Sequence, residues 1–309
     1  MALHMNGLPV DHRPFITIVV PTRNRAGLLR EALRSLAVQD YPSDLYEVLV
    51  VDDGSNDGTA QAALMFSGSI EAPVVRLLRQ PPKNQSAARN RGVQNAKGSL
   101  IAFLDDDELA PAGWLAAMVD ASIRYPEADC LGGPYRLRFE GPPPHLCPEC
   151  WPGEGHNDFG DSEHFVEWVA GGDMMIRRKA FDRAGWFNES VTYGEEAEWM
   201  HRLRAAGGRV VYVPSAWIHH RRTPEMLRLG NRLRKAFTTG AHDARSKLAL
   251  GERPHGLGRL VSSIRPLAHA ITRGCSGGLI QAAMSVGFGL EALLLSWSER
   301  RALLTRRPT

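Results

Sequence analysis

The sequence predicts an α/β protein with a mainly parallel, Rossmann-like sheet flanked by helices, followed by a helical C-terminal extension. Three observations lead to this prediction. Short β-branched runs alternate with helical patterns from Phe15 to Leu104, which is typical of βαβ units. Strands such as Ile16–Val20 lack a polar face, as expected where helices cover both sides of a sheet. After residue 222 the composition changes to basic, helix-like segments.

The individual elements follow from hydrophobic periodicity and from breaker residues. Strands are indicated by β-branched runs, and helices by apolar residues spaced three and four apart. The Pro- and Gly-rich stretch from Gly141 to Gly160 predicts a loop, and Gly207-Gly208 ends a helix. In chain order the predicted elements are strand Phe15–Val20, helix Ala26–Gln39, strand Tyr46–Val51, helix Thr59–Met65, strand Val74–Leu78, helix Ser86–Ala96, strand Ser99–Leu104, helix Ala112–Tyr125, a strand near Cys130, helices Arg178–Ala184 and Glu195–Ala206, strand Arg209–Val213, and helices Met226–Ala236 and Gly278–Trp297.

The composition is that of a globular protein. The 309 residues are 43% hydrophobic and 23% charged, and the net charge of +3 is too small to indicate nucleic-acid binding. Four cysteines are too few for a disulfide scaffold, and no secretory leader precedes the first strand, so we predict a cytoplasmic location.

The chain is expected to form one main domain with an appended segment. Residues 1–13 are predicted to be a flexible tail, residues 14–222 a domain with halves 14–108 and 109–222, and residues 223–309 a basic and apolar extension. Within this extension Gly278–Trp297 is nearly apolar and has arginines on both sides. Two interpretations stay open: contact of residues 278–309 with the inner membrane surface, or packing of this helix on the domain. The sequence does not specify an oligomeric state.

Four consecutive acidic residues, Asp105-Asp106-Asp107-Glu108, directly follow a predicted strand. Like charges at a strand end repel one another unless a cation lies among them. Mg²⁺ or Mn²⁺, held partly by the phosphates of a ligand, would supply that cation. The alternative is a solvated acidic turn.

A second acidic strand end, Asp52-Asp53-Gly54-Ser55, is suited to hydrogen-bonding a nucleobase or a ribose. An EF-hand is excluded because Leu64 stands where the bidentate Glu is required. A plain turn is the alternative.

Arg89, on a helix rich in small residues, is a candidate to hold a diphosphate or a base, and the alternative is an ordinary surface arginine.

Seven motifs follow one another along the chain: Val19–Arg25, Val51–Ser55, Ser86–Gly92, Phe103–Glu108, Gly171–Arg178, Gly194–Leu203 and Pro214–His220. Each motif alone is weak. Taken in this order and spacing, they resemble the family 2 glycosyltransferases, and the resemblance covers residues 14–222.

This resemblance implies a GT-A fold that binds a nucleoside-diphosphate sugar, most often a uridine one, and transfers the sugar with inversion. Asp105 and Asp107 match the outer residues of the family's DxD motif and would bind the metal or the donor ribose. The implied metal ligands are Asp105, Asp107 and His219, with His220 or simple packing as alternatives. The implied donor-binding residues are Pro21, Thr22, Arg23, Asn24, Asp53 with Asp52 as alternative, Arg89, Asp105 and Asp106.

Inversion requires a base that accepts the proton of the acceptor hydroxyl. Glu196 matches the family's base position, and Glu195 is a credible substitute because this chain has Glu where Asp is frequent. Without the other motifs, both would be read as acidic residues that favour the start of a helix. A zinc site at Cys147 and Cys150 falls short of a strong signature, and a loop with free thiols is favoured.

Two other function classes fit the sequence less well than sugar transfer does. A nucleotidyltransferase would need a glycine-rich phosphate loop after the first strand, and Pro21–Arg25 contains no glycine. A non-catalytic nucleotide-sugar-binding protein would tolerate loss of the base or the metal carboxylates, but all of them are present. The acceptor is expected to be a saccharide, either lipid-linked, because of the basic and apolar tail, or small and soluble.

Overall fold

The computed structural model describes residues 13–66, 73–142, 157–191, 194–249 and 252–305. The predicted flexible tail, apart from residue 13, and the predicted thiol loop with Cys147 and Cys150 lie outside these ranges. Eleven strands are described: β1 Ile16–Thr22, β2 Tyr46–Asp52, β3 Val74–Arg79, β4 Leu100–Phe103, β5 Glu108–Leu109, β6 Cys130–Gly132, β7 Tyr135–Phe139, β8 His164–Val166, β9 Met174–Arg177, β10 Val210–Tyr212 and β11 Ile218–Arg222.

Eleven α-helices occur in the same described part of the chain. The N-terminal ones alternate with strands, as the sequence predicts. The helices are α1 Ala26–Leu36, α2 Thr59–Leu64, α3 Gln85–Asn95, α4 Trp114–Arg124, α5 Ala180–Ala184, α6 Glu195–Ala205, α7 Pro224–Leu227, α8 Leu229–Ala249, α9 Gly256–Ser262, α10 Ile264–Arg273 and α11 Ser276–Thr305.

The main sheet has the strand order β3-β2-β1-β4-β9-β6-β10-β8. The first four strands in this order are parallel, as is the pair β6 and β10, whereas β9 is antiparallel to both of its neighbours and β8 is antiparallel to β10. The predicted mixed α/β fold with a mainly parallel sheet is therefore confirmed. Because β1, β2 and β4 are parallel, their carboxyl ends lie at one edge of the sheet, where α/β proteins bind ligands.

Helices cover both faces of this sheet. The apolar residues of α1, α2 and α4 belong to one buried cluster, and those of α3, α5 and α6 belong to another. Alternate residues of β1 contribute to the two clusters, Ile18 and Val20 to the first and Val19 to the second. The strand is apolar on both faces for this reason.

A smaller sheet with the order β5-β11-β7 was not predicted from the sequence. Its strand β5 has two residues. Strand β9 of the main sheet was not predicted either, and its four residues follow directly after Gly171-Gly172-Asp173. Strands this short provide too few residues for an alternating pattern to be recognised. β5 pairs with β11 so that His219 lies opposite Leu109 and His220 lies opposite Glu108.

Clustering of contacts divides the chain into two compact units. The first unit contains the described residues up to Arg138, residues 157–190 and Glu195–Arg221. The second begins its main segment at Arg222 and also takes in the described residues 139–142, 191 and 194, which fall in the predicted half 109–222.

In the second unit, α8 and α11 pack closely at glycines. A Cβ atom added at Gly240 would lie 1.9 Å from the Met284 carbonyl oxygen, and one at Gly287 would lie 2.0 Å from that of Phe237. Ala244, Phe288 and Ala292 form the buried cluster of this unit. Ser276–Trp297 is long and apolar enough to cross a membrane by length and composition, and about a third of its most apolar window is buried inside the protein.

We expect Gly92→Ala to destabilise the protein by about 1–3 kcal/mol, because the new Cβ would lie 2.3 Å from Cγ1 of Val19, where α3 packs on β1. Urea unfolding followed by circular dichroism measures this change. The matched control is Gly27→Ala in α1, where a Cβ meets nothing within 4 Å and alanine is expected to be neutral or stabilising by up to about 1 kcal/mol. Equal effects of the two substitutions would contradict the packing argument.

Candidate active site

The acidic turn Asp105-Asp106-Asp107-Glu108 leaves the sheet at the end of β4. Its backbone is folded by a hydrogen bond from the Asp105 N–H to Glu108 Oε2, 2.9 Å long. Asp106 is buried and accepts hydrogen bonds from Thr22 Oγ1 at 2.7 Å and from Arg25 Nη1 at 2.8 Å. Burial raises the pKa of Asp106 to about 6, against the lowering effect of Arg25. Asp106 therefore holds the acidic turn against the turn that follows β1.

Asp105 and Asp107, on either side of Asp106, remain partly exposed. Oδ1 of Asp107 lies 3.7 Å from Nε2 of His220, and its Oδ2 accepts a hydrogen bond from Arg25 at 3.2 Å. Asp105 accepts hydrogen bonds from Gln85 at 2.8 Å and from Arg89 at 3.1 Å. The turn thus presents two carboxylates at the carboxyl edge of the sheet, as the sequence predicts.

Glu108, the last residue of the acidic turn, is buried. Burial raises its pKa well above the ordinary value, and the charges of Asp105 and Asp107 act in the same direction. Gly172 leaves the space for this side chain, since a Cβ there would lie 2.1 Å from Glu108 Oε2. The neighbouring Asp173 is also buried, with Oδ1 accepting a 2.7 Å hydrogen bond from Trp114 Nε1, and burial raises its pKa.

The predicted donor-binding segment Pro21-Thr22-Arg23-Asn24 forms the end of β1 and the following turn. Asn24 has a φ of 54°, in the left-handed region that asparagine tolerates better than most residues. Its N–H donates to Ser55 Oγ at 2.8 Å, and its side-chain oxygen accepts from the Asn56 N–H at 2.9 Å. These bonds join the turn after β1 to the turn after β2.

The two aspartates after β2 have different surroundings. Asp52 is fully buried, with its carboxylate bonded to the Ser55 N–H at 2.8 Å and to Arg79 Nε at 3.0 Å. Asp53 accepts from Gln80 Nε2 at 2.7 Å, and its other oxygen lies 4.0 Å from Arg23 Nη1. Asp52 stabilises the turn, whereas Asp53 lies beside the predicted donor-binding residue Arg23.

Arg89 is buried in α3, with a side chain only 2% exposed. Its Nη1 donates to Glu195 Oε1 at 2.7 Å and its Nη2 to Asp105 Oδ1 at 3.1 Å. Burial alone lowers the pKa of Arg89, but the charges of Asp105 and Glu195 outweigh this effect and raise it. Arg89 was a candidate to hold a diphosphate or a base, or an ordinary surface arginine. Its burial rules out the surface arginine, and in the structure these two guanidinium nitrogens bind protein carboxylates.

The two candidate bases begin α6 and are not equivalent. The Glu195 side chain is 4% exposed and is paired with Arg89, whereas the Glu196 side chain is 24% exposed and its Oε2 lies 4.0 Å from Arg89 Nη1. Burial and then the charge of Glu195 raise the pKa of Glu196 to about 7, against the lowering effect of Arg89. Glu196 is therefore the more accessible carboxylate, and its pKa is suited to accepting a proton near neutral pH.

His219 and His220 are neighbours on β11, so their side chains point to opposite faces. His220 faces Asp107, at the distance given above. His219 packs against Trp217, with ring centroids 4.8 Å apart, and burial followed by the charges of Arg138 and Arg136 lowers its pKa. The expected histidine ligand His219 therefore points away from Asp107, and His220, the alternative, has the fitting position.

Sequence reasoning did not single out Arg25, Gln85, Glu108 or Asp173. Arg25 ends the Val19–Arg25 motif and Gln85 begins α3, but neither side chain was assigned a role from the sequence. Glu108 and Asp173 stand in motifs that were noted, but only the structure reveals that both are buried. Among the described residues, no group of three or more His, Cys, Asp and Glu side chains is arranged to hold a metal ion.

Comparison with known proteins gives consistent matches. A sequence model described as "Glycosyl transferase family 2" matches residues 17–185, which is more than half of the chain. Glycosyltransferase AglE of Haloferax volcanii is 27% identical over 74% of this chain and 72% of its own length. The succinoglycan biosynthesis protein ExoM of Rhizobium meliloti is 29% identical over 74% of this chain and 73% of its own length.

Among solved structures, the mannosyltransferase PcManGT of Pyrobaculum calidifontis, in complex with GDP-mannose and Mn²⁺, aligns with a TM-score of 0.60. The alignment covers 96% of this chain and 82% of that one at 20% identity. At this level of identity the likeness is one of fold, and it confirms the expected GT-A architecture.

We expect Arg89→Met to destabilise the protein by about 3–5 kcal/mol, because it leaves the buried carboxylate of Glu195 without its cation. The double variant Arg89→Met/Glu195→Met removes both charges and should be less destabilised than the single variant. Urea unfolding at neutral pH measures both. As a control, Arg183→Met removes a half-exposed partner of buried Asp129 and should cost at most about 1 kcal/mol. A double variant less stable than Arg89→Met would contradict the pairing.

Proposed function

Because the chain belongs to glycosyl transferase family 2, we propose that it transfers a sugar, with inversion, from a nucleoside-diphosphate sugar to a hydroxyl group of a saccharide acceptor. The observation that carries this proposal is the position of Glu196. A partly exposed carboxylate with a pKa raised to about 7 shares the Arg89 cluster with Asp105 of the acidic turn. The nucleophile-activating group and the donor-binding group would thus belong to one connected set of side chains.

The residues of the acidic turn fit a divalent cation, either Mn²⁺ or Mg²⁺. Asp107 Oδ1 and His220 Nε2 are two donors 3.7 Å apart, and Asp105 is partly exposed on the same turn. Such an incomplete ligand set suits a metal that takes its remaining ligands from the phosphates of a nucleotide. When bound, the metal would neutralise charge that develops on the leaving diphosphate. We propose Asp105, Asp107 and His220 as its protein ligands.

The remaining steps fall to this chain's own groups. Glu196 accepts the proton of the acceptor hydroxyl as that oxygen attacks the anomeric carbon and the bond to the diphosphate breaks. Arg89 is paired with Glu195, which leaves Glu196 as the more accessible carboxylate for proton transfer. Asp53 and Arg23, next to each other after β2 and β1, would contact the base or ribose of the donor.

We propose a uridine diphosphate sugar as donor. PcManGT was solved with GDP-mannose, so a guanosine donor is the competing choice. For the acceptor we propose a lipid-linked saccharide in cell-surface polysaccharide synthesis on the cytoplasmic side of the membrane. The name of ExoM supports a role in polysaccharide synthesis. Transfer to a small soluble acceptor and nucleotide-sugar binding without catalysis are the alternatives, and the turnover measurement below tests the second.

Glu196→Gln should lower the rate at which UDP is released by about 10²–10⁴-fold, because it removes the general base. This holds whether the sugar passes to the acceptor or to water. Donor affinity, measured by thermal stabilisation, should not change. Glu195→Gln is the matched control: it should lower stability through the loss of charge opposite Arg89 and retain most of the turnover. A loss of turnover in Glu195→Gln alone would assign the base to Glu195, and wild-type protein that binds donors without turnover would support the non-catalytic alternative.

The same assignment predicts the pH dependence. A base must be ionised, so kcat/KM should rise with pH and level off above about 7, the raised pKa of Glu196. The profile is measured with saturating metal and limiting donor. A level profile between pH 5 and pH 8, or a fall across that range, would contradict the role of Glu196.

Metal-dependent donor binding is testable without an acceptor. UDP with Mn²⁺ should raise the melting temperature, corresponding to about 2.7 kcal/mol at a hundredfold excess over Kd, and EDTA should abolish the rise. Asp107→Asn and His220→Gln should reduce the shift. His219→Gln is the matched control and should leave it unchanged, because that ring faces away from Asp107. GDP in place of UDP tests the competing donor class.

A further inference from the structure

The helices α9 and α10 expose an unusual row of large apolar side chains. Ile264 and Ile271 are 63% and 74% exposed, and Leu257 and Val261 are exposed to a similar degree. Only Ser263 separates the two helices, and the spacing of three and four residues continues across it through residues 257, 261, 264, 268 and 271. Residues with this spacing share one face of a helix. We call Leu257, Val261, Ile264 and Ile271 the apolar face.

The apolar face points away from the neighbour on which α10 packs. A Cβ added at Gly278 of α11 would lie 2.4 Å from the Pro266 carbonyl oxygen and 3.0 Å from the Ala270 Cβ, so α10 contacts α11 through Pro266 and Ala270. Ala270 is buried, whereas Ile264 and Ile271 lie on another side of the helix. Packing inside this unit therefore does not account for the apolar face.

The apolar sequence of α11 is explained by packing only in part. Ala282, Phe288 and Ala292 are buried, and the close approaches at Gly287 and Gly289 are to α8 and α9. From the sequence, contact of the stretch from residue 278 onward with a membrane surface and packing of this helix on the domain are both open. In the structure part of that stretch packs inside the helical unit, whereas Leu294 and Trp297 are each 60% exposed. The pair α9–α10 combines exposed apolar side chains with exposed arginines, which makes it a candidate for surface contact in its own right.

Charge indicates what the apolar face contacts. Residues 223–309 contain 14 Lys and Arg and five Asp and Glu, a formal net charge of +9, while the whole chain carries only +3. Arg253, Arg259, Arg265 and Arg273 are all exposed on or next to α9 and α10. Exposed apolar side chains with arginines beside them are the composition of a helix that lies in the interface of an anionic bilayer.

We propose that α9 and α10 dock this protein onto an anionic lipid surface, with the apolar face inserted between headgroups and the four arginines contacting lipid phosphates. This proposal goes beyond sugar transfer and does not depend on it, because no residue of the candidate active site takes part. The arginine-rich segment 223–309 suits a lipid surface better than a second copy of itself, since two segments of +9 repel each other.

The test is co-sedimentation of the full chain with two kinds of vesicle, phosphatidylcholine alone and phosphatidylcholine mixed equally with phosphatidylglycerol. Wild-type protein should bind the mixed vesicles and should be released in part by about 0.5 M salt, which screens surface charge. Ile264→Gln/Ile271→Gln should weaken binding about tenfold or more, because two apolar side chains no longer enter the bilayer. Arg265→Gln/Arg273→Gln should weaken binding to mixed vesicles and reduce its salt dependence.

The matched control is Leu64→Gln/Met65→Gln, which changes two similarly exposed apolar residues at the end of α2 and should bind like wild type. All four positions are on the surface, and unchanged melting curves would verify folding. Wild-type protein that ignores both vesicle types, or an Ile264→Gln/Ile271→Gln variant that binds like wild type, would overturn the proposal.

Two further measurements separate the alternatives. A wild-type dimer that becomes a monomer in Ile264→Gln/Ile271→Gln, seen by sedimentation velocity, would assign the apolar face to a second copy and overturn lipid docking. Glu196→Gln should bind vesicles like wild type. Loss of sugar transfer with retained vesicle binding would therefore count against the proposed chemistry and leave the docking proposal intact.

Discussion

The candidate active site depends on the buried guanidinium of Arg89. It lies in α3 and bonds to Glu195 at the start of α6 and to Asp105 after β4, so one side chain links three elements that are distant in sequence. A buried cation is tolerated only when carboxylates surround it, and buried carboxylates are tolerated only when a cation pairs with them. The geometry of the acidic turn and the start of α6 are therefore coupled: neither can move without leaving a buried charge unpaired.

Two glycines make this arrangement sterically feasible. A Cβ at Gly171 would lie 2.9 Å from the Arg89 guanidinium and 3.1 Å from Glu196 Cγ, and one at Gly172 would overlap the Glu108 carboxylate. The segment Gly171-Gly172 thus runs directly beside both the Arg89 cluster and the acidic turn. Side chains at these positions would displace charged groups instead of flexible apolar ones. The glycines are accordingly part of the site's construction, although they carry no chemistry themselves.

The sequence predicted the elements that have a strong period and missed those that depend on partners. Strands such as Tyr46–Asp52 are long and apolar, and their acidic ends identified the edge of the sheet. The choices between adjacent residues could not be made. Glu195 and Glu196 are alike in sequence, and only the burial of Arg89 distinguishes the paired carboxylate from the accessible one. His219 and His220 differ only in which face of β11 they occupy, and the register with β5 settles which one meets Asp107.

In the C-terminal unit, too, the sequence alone does not determine which residues are buried. Apolar composition marks α11 as a membrane candidate, yet composition does not distinguish a core helix from a surface one. Glycine positions and burial show that α11 is both: it meets α8 at Gly240 and Gly287 and buries Phe288 and Ala292, whereas Leu294 and Trp297 are exposed. The more polar α10 keeps its isoleucines in solvent. Exposed apolar side chains cost free energy in water, and contact with a partner surface removes that cost. A contact surface is therefore inferred more reliably from the positions of the exposed apolar residues than from the apolar content of a segment.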